Sequence, residues 1–433
     1  MSYKAKLLAS SISIVCSIAS FSSVYAAEGA KGNTADNPNE VIPELIPPSE
    51  MYSHDIYGLI ALQVAGRHYE GHCAANPDYS GTSSCRDAAT DHRAYKSGKN
   101  NEGTQLNNES RIGWRGFAHF SALPRDVLFI WQVEAGYVDP SFSNQNGSYI
   151  GNRDTFIGLE NKAGFGLLRL GRVLTPLYEL VDWPASNPGL GDVWDWGGSI
   201  AGVDYNDRQS DTIRWDSNEL WKGFTIDVAV GAGQDRDGDT DSYDAPSNYY
   251  HGMAAHQKFN YGRNSSIQID LAYEMNYKSD VSYSDDSGEY DNPDLATLNG
   301  SWDNQTYLMG IQGVQGFSFM NETIGYFAQY RLAKAKDKSS NNANPDQKEK
   351  GYSLGLMYNF GQDNKWQAKV GYAHLDNVEV DSESDMKTDK KAWSTQLLYS
   401  IDEHAVVYAR YRDLQFEDSD DFQEASVGIE YWF

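Results

Sequence analysis

Long hydrophobic runs are absent from this sequence beyond its first thirty residues. A membrane-spanning helix needs about 20 consecutive apolar residues, so the sequence excludes a helical membrane protein. Basic residues are also scarce: 35 lysines and arginines stand against 61 aspartates and glutamates, which gives a net charge of -26. Nucleic-acid binding depends on a basic surface, so the charge balance argues against a nucleic-acid partner.

Proline is scarce as well, with 13 residues in 433, whereas glycine (39) and tyrosine (29) are abundant. This composition favours long strands over disorder. The nine histidines are scattered and form neither a His-Glu-x-x-His zinc motif nor a Ser-His-Asp set that the sequence singles out. We therefore predict that the chain is not an enzyme, with a barrel-type esterase or protease as the alternative.

The first 26 residues have the pattern of a secretory signal peptide. Lys4 and Lys6 provide a positive start, an apolar stretch follows over 7–18, and Val24-Tyr25-Ala26 resembles a cleavage site. The polar, proline-bearing segment 27–55 is predicted to be a flexible periplasmic extension. The remaining chain, 56–433, is predicted to form one domain.

Only two cysteines follow the predicted leader, Cys73 and Cys85. In an oxidising compartment such a pair favours a disulfide, which would restrict the unfolded chain by roughly 3 kcal/mol. A metal site with the nearby His68, His72 and His92 is the alternative, although the spacings do not match known zinc patterns. We expect the disulfide.

Alternation of apolar and polar side chains dominates the sequence from Ile56 onward. In 267–278, Ile269 and Leu271 share one face of a strand, whereas Asp270 and Glu274 share the other. Sixteen such segments are predicted, an even number that suits a closed outer-membrane barrel. They are 56–68, 109–121, 127–137, 152–160, 165–172, 210–216, 222–233, 249–260, 265–278, 302–313, 319–332, 351–360, 365–376, 391–400, 405–416 and 422–433.

The connections between these segments alternate between short and long. Tight turns, such as 161–164 and 361–364, are followed by long polar connections, such as 173–209 and 279–301. An up-and-down meander therefore has the short turns at one rim and nearly all long loops at the other. The predicted fold is all-β: a sixteen-stranded antiparallel transmembrane barrel with short periplasmic turns and long extracellular loops.

A barrel of sixteen strands is too wide for its wall side chains to fill, so we expect an aqueous lumen. The third long connection, 173–209, is rich in tryptophan, glycine and acidic residues, and is the candidate for narrowing it. Opposed charges across that gap would set the ion preference. The candidate acidic residues of the constriction are Glu179, Asp182, Asp192, Asp195 and Asp204. The candidate basic residues of the pore wall are Arg67, Arg111, Arg115, Arg172 and Arg214. The alternative for each is an ordinary surface or cross-strand role.

Several short segments resemble the general Gram-negative porins, a family of trimeric outer-membrane diffusion channels. They are Gly171-Arg172, then Thr175-Pro176-Leu177-Tyr178-Glu179, then Ile56-Tyr57-Gly58, and the ending Gly428-Ile429-Glu430-Tyr431-Trp432-Phe433. The resemblance covers about 56–433. The lead-in 28–55 and the large first loop 69–108 depart from the family's pattern.

The resemblance implies a homotrimer whose 173–209 loop folds into the lumen and whose 138–151 loop latches onto a neighbouring subunit. Arg172 would line the pore wall. The residues Phe433, Tyr431 and Ile429 would form a C-terminal signal for the barrel-assembly machinery. Its partners would be the lipid and lipopolysaccharide of the outer membrane.

Acidic loops raise the question of metal ions. The run Asp235-Arg236-Asp237-Gly238-Asp239-Thr240-Asp241 is similar to a calcium loop, but its glycine is misplaced and no bidentate glutamate follows. We expect no cofactor and no specific metal site, with calcium or magnesium only loosely associated with acidic loops such as 279–301 and 377–390.

The sequence thus predicts a water-filled channel for passive diffusion of ions and small hydrophilic solutes. A substrate-selective channel for sugars or organic acids is the first alternative. A receptor or adhesin barrel, whose function would reside in its loops, is the second.

Overall fold

The computed structural model describes residues 52–70, 103–136, 150–182, 208–232, 249–262, 264–281, 300–317, 322–338, 345–381, 389–416 and 421–433. Within them lie eighteen strands, one short helix and a single 3-10 turn at Gln362–Asn364. The helix, α1, is Pro176–Asp182. The strands are β1 Tyr52–Glu70, β2 Gly103–Asn108, β3 Arg111–Ala118, β4 Leu128–Gly136, β5 Thr155–Asn161, β6 Gly166–Leu174, β7 Arg208–Asp216, β8 Phe224–Gly231, β9 Tyr249–Asn260, β10 Ser266–Val281, β11 Gly300–Gly316, β12 Thr323–Asp337, β13 Gln347–Phe360, β14 Trp366–Leu375, β15 Glu379–Val380, β16 Lys390–Ser400, β17 Ala405–Phe416 and β18 Asp421–Trp432.

All eighteen strands belong to one antiparallel sheet that closes on itself. Strands β2 and β3 both pair with β1, along consecutive stretches of it. Strands β14 and β15 both pair with β13. The eighteen strands therefore occupy sixteen positions around the wall, which confirms the predicted sixteen-stranded closed barrel.

The barrel closes between the first and last strands. Strand β1 pairs with β18 from Leu59 opposite Trp432 to Glu70 opposite Asp421. The backbones of Gly58 and Phe433 also exchange hydrogen bonds of 2.9 and 3.1 Å. A Cβ atom at Gly58 would lie 2.5 Å from the Phe433 ring, so only glycine allows this close approach.

The two faces of the sheet have opposite polarity. On β10, the outward Ile269 and Leu271 are 44% and 54% exposed, whereas the inward Asp270 is 1% exposed. The same inversion recurs around the wall, with apolar side chains outside and glutamines, arginines and carboxylates inside. This pattern is expected of a barrel with lipid outside and a polar interior. The tightly packed core of a soluble protein would not accommodate the inward charges.

Aromatic side chains form two rings on the outer face. One lies toward the long connections, and we call it the distal aromatic ring. Its ring centroids approach to 5.0 Å between Tyr273 and Tyr307 and to 4.5 Å between Tyr372 and Trp393. The ring is formed by Tyr273, Tyr307, Tyr330, Tyr352, Tyr372 and Trp393. A second ring near the short turns includes Trp114, Trp131, Trp366, Tyr399 and Tyr431. Paired aromatic belts mark the two membrane interfaces.

The strand boundaries refine the sequence prediction. Strand β1 begins at Tyr52, four residues before the predicted start, because 52–59 pairs with β3. The predicted segment 109–121 corresponds to β3, Arg111–Ala118. Strand β2, Gly103–Asn108, lies within the connection 69–108 that was predicted to be a loop, and Glu109 and Ser110 separate the two strands. Among the described residues, no helix is long and apolar enough to span a membrane.

Candidate pore constriction

Helix α1 begins the third long connection, directly after β6. Pro176 occupies its first position, where the missing N–H costs nothing. The Thr175 hydroxyl accepts a 3.1 Å hydrogen bond from the Tyr178 N–H and so caps the helix. The sequence therefore specifies a helix start at the point where the chain leaves the wall.

The apolar side of α1 packs inside the barrel. Leu177 and Leu180 are almost fully buried and share one apolar cluster with inward-facing wall residues. Small alanines on β9 and β10 give the helix room to approach the wall. The cluster comprises Leu177, Leu180, Ala254, Ala272, Leu308, Ala373, Leu375, Ala392 and Leu414. Because its members come from β9–β11 and from β14–β17, α1 lies within the lumen.

A hydrogen bond from a more distant strand holds the end of the helix. The Gln329 side chain on β12 donates from Nε2 to the Leu180 carbonyl at 2.6 Å. The last carbonyls of a helix have no partner within the helix. This bond from the wall satisfies one of them and fixes where α1 ends.

Arg214 on β7 joins the helix to the wall. Its Nε donates to Asp216 Oδ1 at 2.7 Å, and one terminal nitrogen donates to the Leu174 carbonyl at 2.7 Å. The other terminal nitrogen donates to Glu179 on α1. Arg214 is 1% exposed, and its planar guanidinium spreads its donors to three separate acceptors, a geometry that the compact ammonium of a lysine does not reproduce.

Charged residues continue along the wall from Arg214. Asp227 Oδ2 lies 3.6 Å from Arg214 and 3.0 Å from His256 Nε2. The other His256 ring nitrogen, Nδ1, lies 2.7 Å from Asp270. A doubly protonated imidazole would donate to both carboxylates. Together with Asp216, these residues form a buried network across β7–β10.

A second cluster lies where β17, β18 and β1 meet, and we call it the Glu424 cluster. Glu424 is fully buried and accepts from Arg67 Nε at 2.8 Å and from Arg412 at 2.7 Å. Arg410 approaches the same carboxylate at 3.5 Å. Three guanidinium groups thus surround one carboxylate, which leaves this part of the inner wall positively charged.

Arg115 takes part in a third arrangement on β3. Its guanidinium lies 4.2 Å above the Tyr57 ring and 3.9 Å from Asp55. The Tyr57 hydroxyl donates to Glu134 at 2.6 Å, and Glu134 also binds Arg153. The cation–π contact therefore holds Arg115 at the inward Tyr57, whose own position is fixed by its hydrogen bond to Glu134.

Ion pairs also hold the base of the third connection. Arg208 donates to Asp154 at 2.9 Å, and Asp154 accepts the Leu174 N–H at 3.1 Å. Burial would raise the pKa of Asp154, but the charges of Arg208, Arg153 and Arg169 outweigh it and lower that pKa. The carboxylate is therefore ionised where the chain enters α1.

The structure brings some of the candidate site residues together. Glu179 and Arg214 bind one another, and Arg67 belongs to the Glu424 cluster. Arg172 donates to the Asn152 carbonyl and the Ser210 hydroxyl instead, at 2.9 and 3.0 Å. The backbone of Arg111 lies opposite that of Gly136 on β4.

The remaining candidate residues lie at the end of α1, on the outer face or outside the described residues. Asp182 is the last residue of α1. Ile429, Tyr431 and Phe433 are exposed on the outer face, each between 40% and 48%. Outside the described residues lie Asp192, Asp195, Asp204, Cys73 and Cys85, as do the predicted leader and the segment 235–241.

Sequence reasoning missed the acidic partners of the arginines. Asp216, Asp227 and Glu424 are buried on the inner face, each no more than 2% exposed. The available signal was their alternation with apolar residues on the strands. It places a residue on the inner face but does not show which arginine it meets.

Comparison with known proteins identifies a family. The family model for Gram-negative porins matches residues 14–432. A curated relative, the chitoporin of Vibrio furnissii, is 47% identical over 132 residues, which are 30% of this chain and 34% of the relative. The matched segment thus spans about a third of that relative's length.

Solved structures agree on the architecture. OmpT of Vibrio cholerae in its trimer form has a TM-score of 0.57 at 12% identity, and covers 89% of this chain and 100% of its own. An anion-selective porin from Comamonas acidovorans has a TM-score of 0.56 at 15% identity, with 88% and 100% covered. At such identities the likeness shows the fold alone.

Proposed function

Because this chain belongs to the Gram-negative porin family and is an outer-membrane channel, we propose that it admits ions and small hydrophilic solutes by passive diffusion. The observation that best supports this proposal is that helix α1 lies inside a barrel whose inner face is charged. Polar groups along the wall replace part of a solute's hydration shell, and α1 narrows the path that remains.

The charge distribution supports a constriction of the lumen that selects among ions. The carboxylate of α1, Glu179, is held at β7, and the Glu424 cluster places three arginines on β17 and β1. These groups create a field across the lumen, which orients dipolar solutes and favours one sign of ion. The acidic residues of 183–209 would add to the narrowing as part of the same proposal.

Planar-bilayer recording tests the channel. Purified, detergent-folded protein should give stepwise conductance that rises in proportion to the bulk salt conductivity. An absence of conducting steps from protein that migrates as a folded barrel would contradict the proposal, and would favour the receptor or adhesin alternative.

The arginines on β3 provide a prediction about ion preference. Replacing Arg111 and Arg115 together by alanine removes two positive charges, so the reversal potential in a salt gradient should shift toward cations. Replacing the exposed turn residue Arg125 by alanine is the control and should leave it unchanged. An unchanged potential in the double variant would place Arg111 and Arg115 away from the ion path.

A saccharide-selective channel is the second candidate, and the match to the chitoporin favours it. In that case a chitin oligosaccharide should block the ion current at low concentration, whereas a maltose oligosaccharide of equal length should not. Equal, weak effects of both sugars would leave the non-specific channel as the function.

Assembly forms the last part of the proposal. We infer a homotrimer, exported through the 1–26 leader and inserted by the barrel-assembly machinery, with Phe433, Tyr431 and Ile429 as its signal. The apolar outward face of β18 and the trimer form of the OmpT neighbour support this. Deleting Phe433 should reduce the band that migrates faster before boiling than after it. An undiminished band would contradict the role of Phe433.

A further inference from the structure

Three side chains that can bind a metal ion converge on the outer face of the barrel, beyond the distal aromatic ring. His374 lies near the end of β14, Asp376 follows that strand, and Asp389 directly precedes β16. One ligand atom from each side chain lies within 4.8 Å of the other two. We call this group the His374 cluster.

The strand register explains why these side chains meet. Strands β14 and β16 are neighbours in the wall, and Leu375 lies opposite Lys390. One step further along the same register come Asp376 and Asp389. The convergence is not visible in the sequence, where 15 positions separate His374 from Asp389.

A single imidazole nitrogen faces both carboxylates. His374 Nε2 lies 2.6 Å from Asp389 Oδ2 and 3.5 Å from Asp376 Oδ1. This nitrogen carries at most one proton, so it can form a strong hydrogen bond to only one of the two carboxylates. A metal ion at the same point can bind the nitrogen and one oxygen of each carboxylate. The hydrogen bond thus accounts for Asp389, whereas a metal ion accounts for all three residues.

Contacts outside the His374 cluster hold its carboxylates in position. The Asp376 N–H donates to the Lys350 carbonyl at 2.8 Å, and the Asp389 N–H donates to Asn377 Oδ1 at 2.7 Å. The Lys391 ammonium donates to Asp389 Oδ1 at 2.6 Å, which leaves Oδ2 for the cluster. Hydrogen bonds of this kind orient the carboxylates that bind a metal ion.

The type and spacing of the donor atoms suit zinc. Two donors of a tetrahedral zinc ion lie roughly 3.3 Å apart, and the 3.5 Å between His374 Nε2 and Asp376 Oδ1 is close to that separation. The shorter contact to Asp389 has to lengthen by roughly 0.7 Å when zinc replaces the proton between the two atoms. Calcium and magnesium prefer shells of six or more oxygen ligands, whereas imidazole suits zinc, copper and nickel.

We propose that His374, Asp376 and Asp389 bind one zinc ion through the imidazole Nε2 and one oxygen of each carboxylate, with water as the fourth ligand. The proton between His374 and Asp389 passes to the solvent as zinc binds. The ion then joins the end of β14 to the start of β16, where the chain leaves and re-enters the wall. Because the cluster lies on the outer face, this binding does not depend on the passage of solutes through the lumen.

Zinc chloride, titrated by calorimetry into chelator-treated, detergent-folded protein, tests the proposal. Asp376→Asn should weaken zinc binding at least tenfold, since even a hydrogen bond to a metal ligand contributes that much. Without zinc, this variant should convert to the slow-migrating band at an unchanged temperature, because the carboxylate lies 3.5 Å from the imidazole and beyond a strong hydrogen bond. A pair of His374 and Asp389 that binds no metal ion would not depend on Asp376.

His404 provides the matched control. It lies 3.6 Å from the carboxylate of Glu403 at a short turn, and so offers an imidazole beside a single carboxylate. The zinc affinity of His404→Gln should equal that of the unchanged protein, whereas His374→Gln should lose at least tenfold. Zinc should also raise the conversion temperature of the unchanged protein and of His404→Gln, but not that of His374→Gln.

Three results would overturn the proposal. The first is full zinc affinity in either Asp376→Asn or His374→Gln, which would assign the ion to other residues, such as those of the first loop. The second is an equal loss of affinity in His404→Gln. The third is calcium binding as tight as zinc binding, which would make the His374 cluster an unspecific acidic surface.

Discussion

Replacing Arg214 by methionine should release helix α1 from the barrel wall. The variant leaves Glu179 and Asp216 without their shared guanidinium and the Leu174 carbonyl without its donor. Because removing one partner of a buried ion pair costs about 3 to 5 kcal/mol, we expect a clear loss of barrel stability. In bilayers, the single-channel current should become noisier, and its steps should increase roughly twofold as the constriction widens.

Two further variants make this prediction specific to the contacts of Arg214. Arg125→Met makes the same substitution at an exposed turn position and should change neither conductance nor stability. Arg214→Lys keeps the charge, but its compact ammonium does not reproduce the spread of the guanidinium donors toward Asp216, Leu174 and Glu179, so it should behave more like the methionine variant than like the unchanged protein. Normal, quiet conductance in Arg214→Met would show that other contacts hold α1.

Replacing Glu424 by glutamine should have the second large effect. Arg67, Arg410 and Arg412 would then lose the carboxylate that they share. The charge summed over these three arginines and residue 424 rises from +2 to +3, because the substitution removes one negative charge. The reversal potential in a salt gradient should shift toward anions. Stability should fall by about 3 kcal/mol, seen as a lower temperature for conversion to the slow-migrating band.

Glu403→Gln provides the matched control. It removes the same charge from a side chain that is 83% exposed at a short turn, where ion pairs contribute little. If both glutamine variants shifted the reversal potential equally, the effect would come from the charge of the whole molecule. The position of Glu424 between three arginines would then not explain the shift in reversal potential.

All sixteen predicted segments correspond to strands. One face of the closed sheet meets lipid and the other meets water, so apolar and polar residues alternate along each strand, and this alternation is visible in the sequence. In 267–277, the odd positions face outward and the even positions inward, as the sequence indicates. The ends of the strands are harder to predict from the sequence. The start of β1 at Tyr52 depends on its pairing with β3, and a pattern within one segment contains no information about its partner strand.

The constriction could be predicted only in part. Glu179 and Arg214 are both candidates on sequence alone, which places Glu179 on the third connection and Arg214 on the wall. Their partnership was not visible, because it depends on how far α1 descends into the lumen. For the same reason Arg67 was predicted without Glu424, from which 357 residues separate it.

The pairing of β1 with β18 and the junction between Gly58 and Phe433 form the seam at which this barrel closes. Before β18 is in place, the backbones of β1 and β17 each present a free edge, and such edges recruit neighbouring chains into aggregates. Closure of the sheet therefore has to wait for β18, and the unfinished sheet must be shielded until its two edges meet.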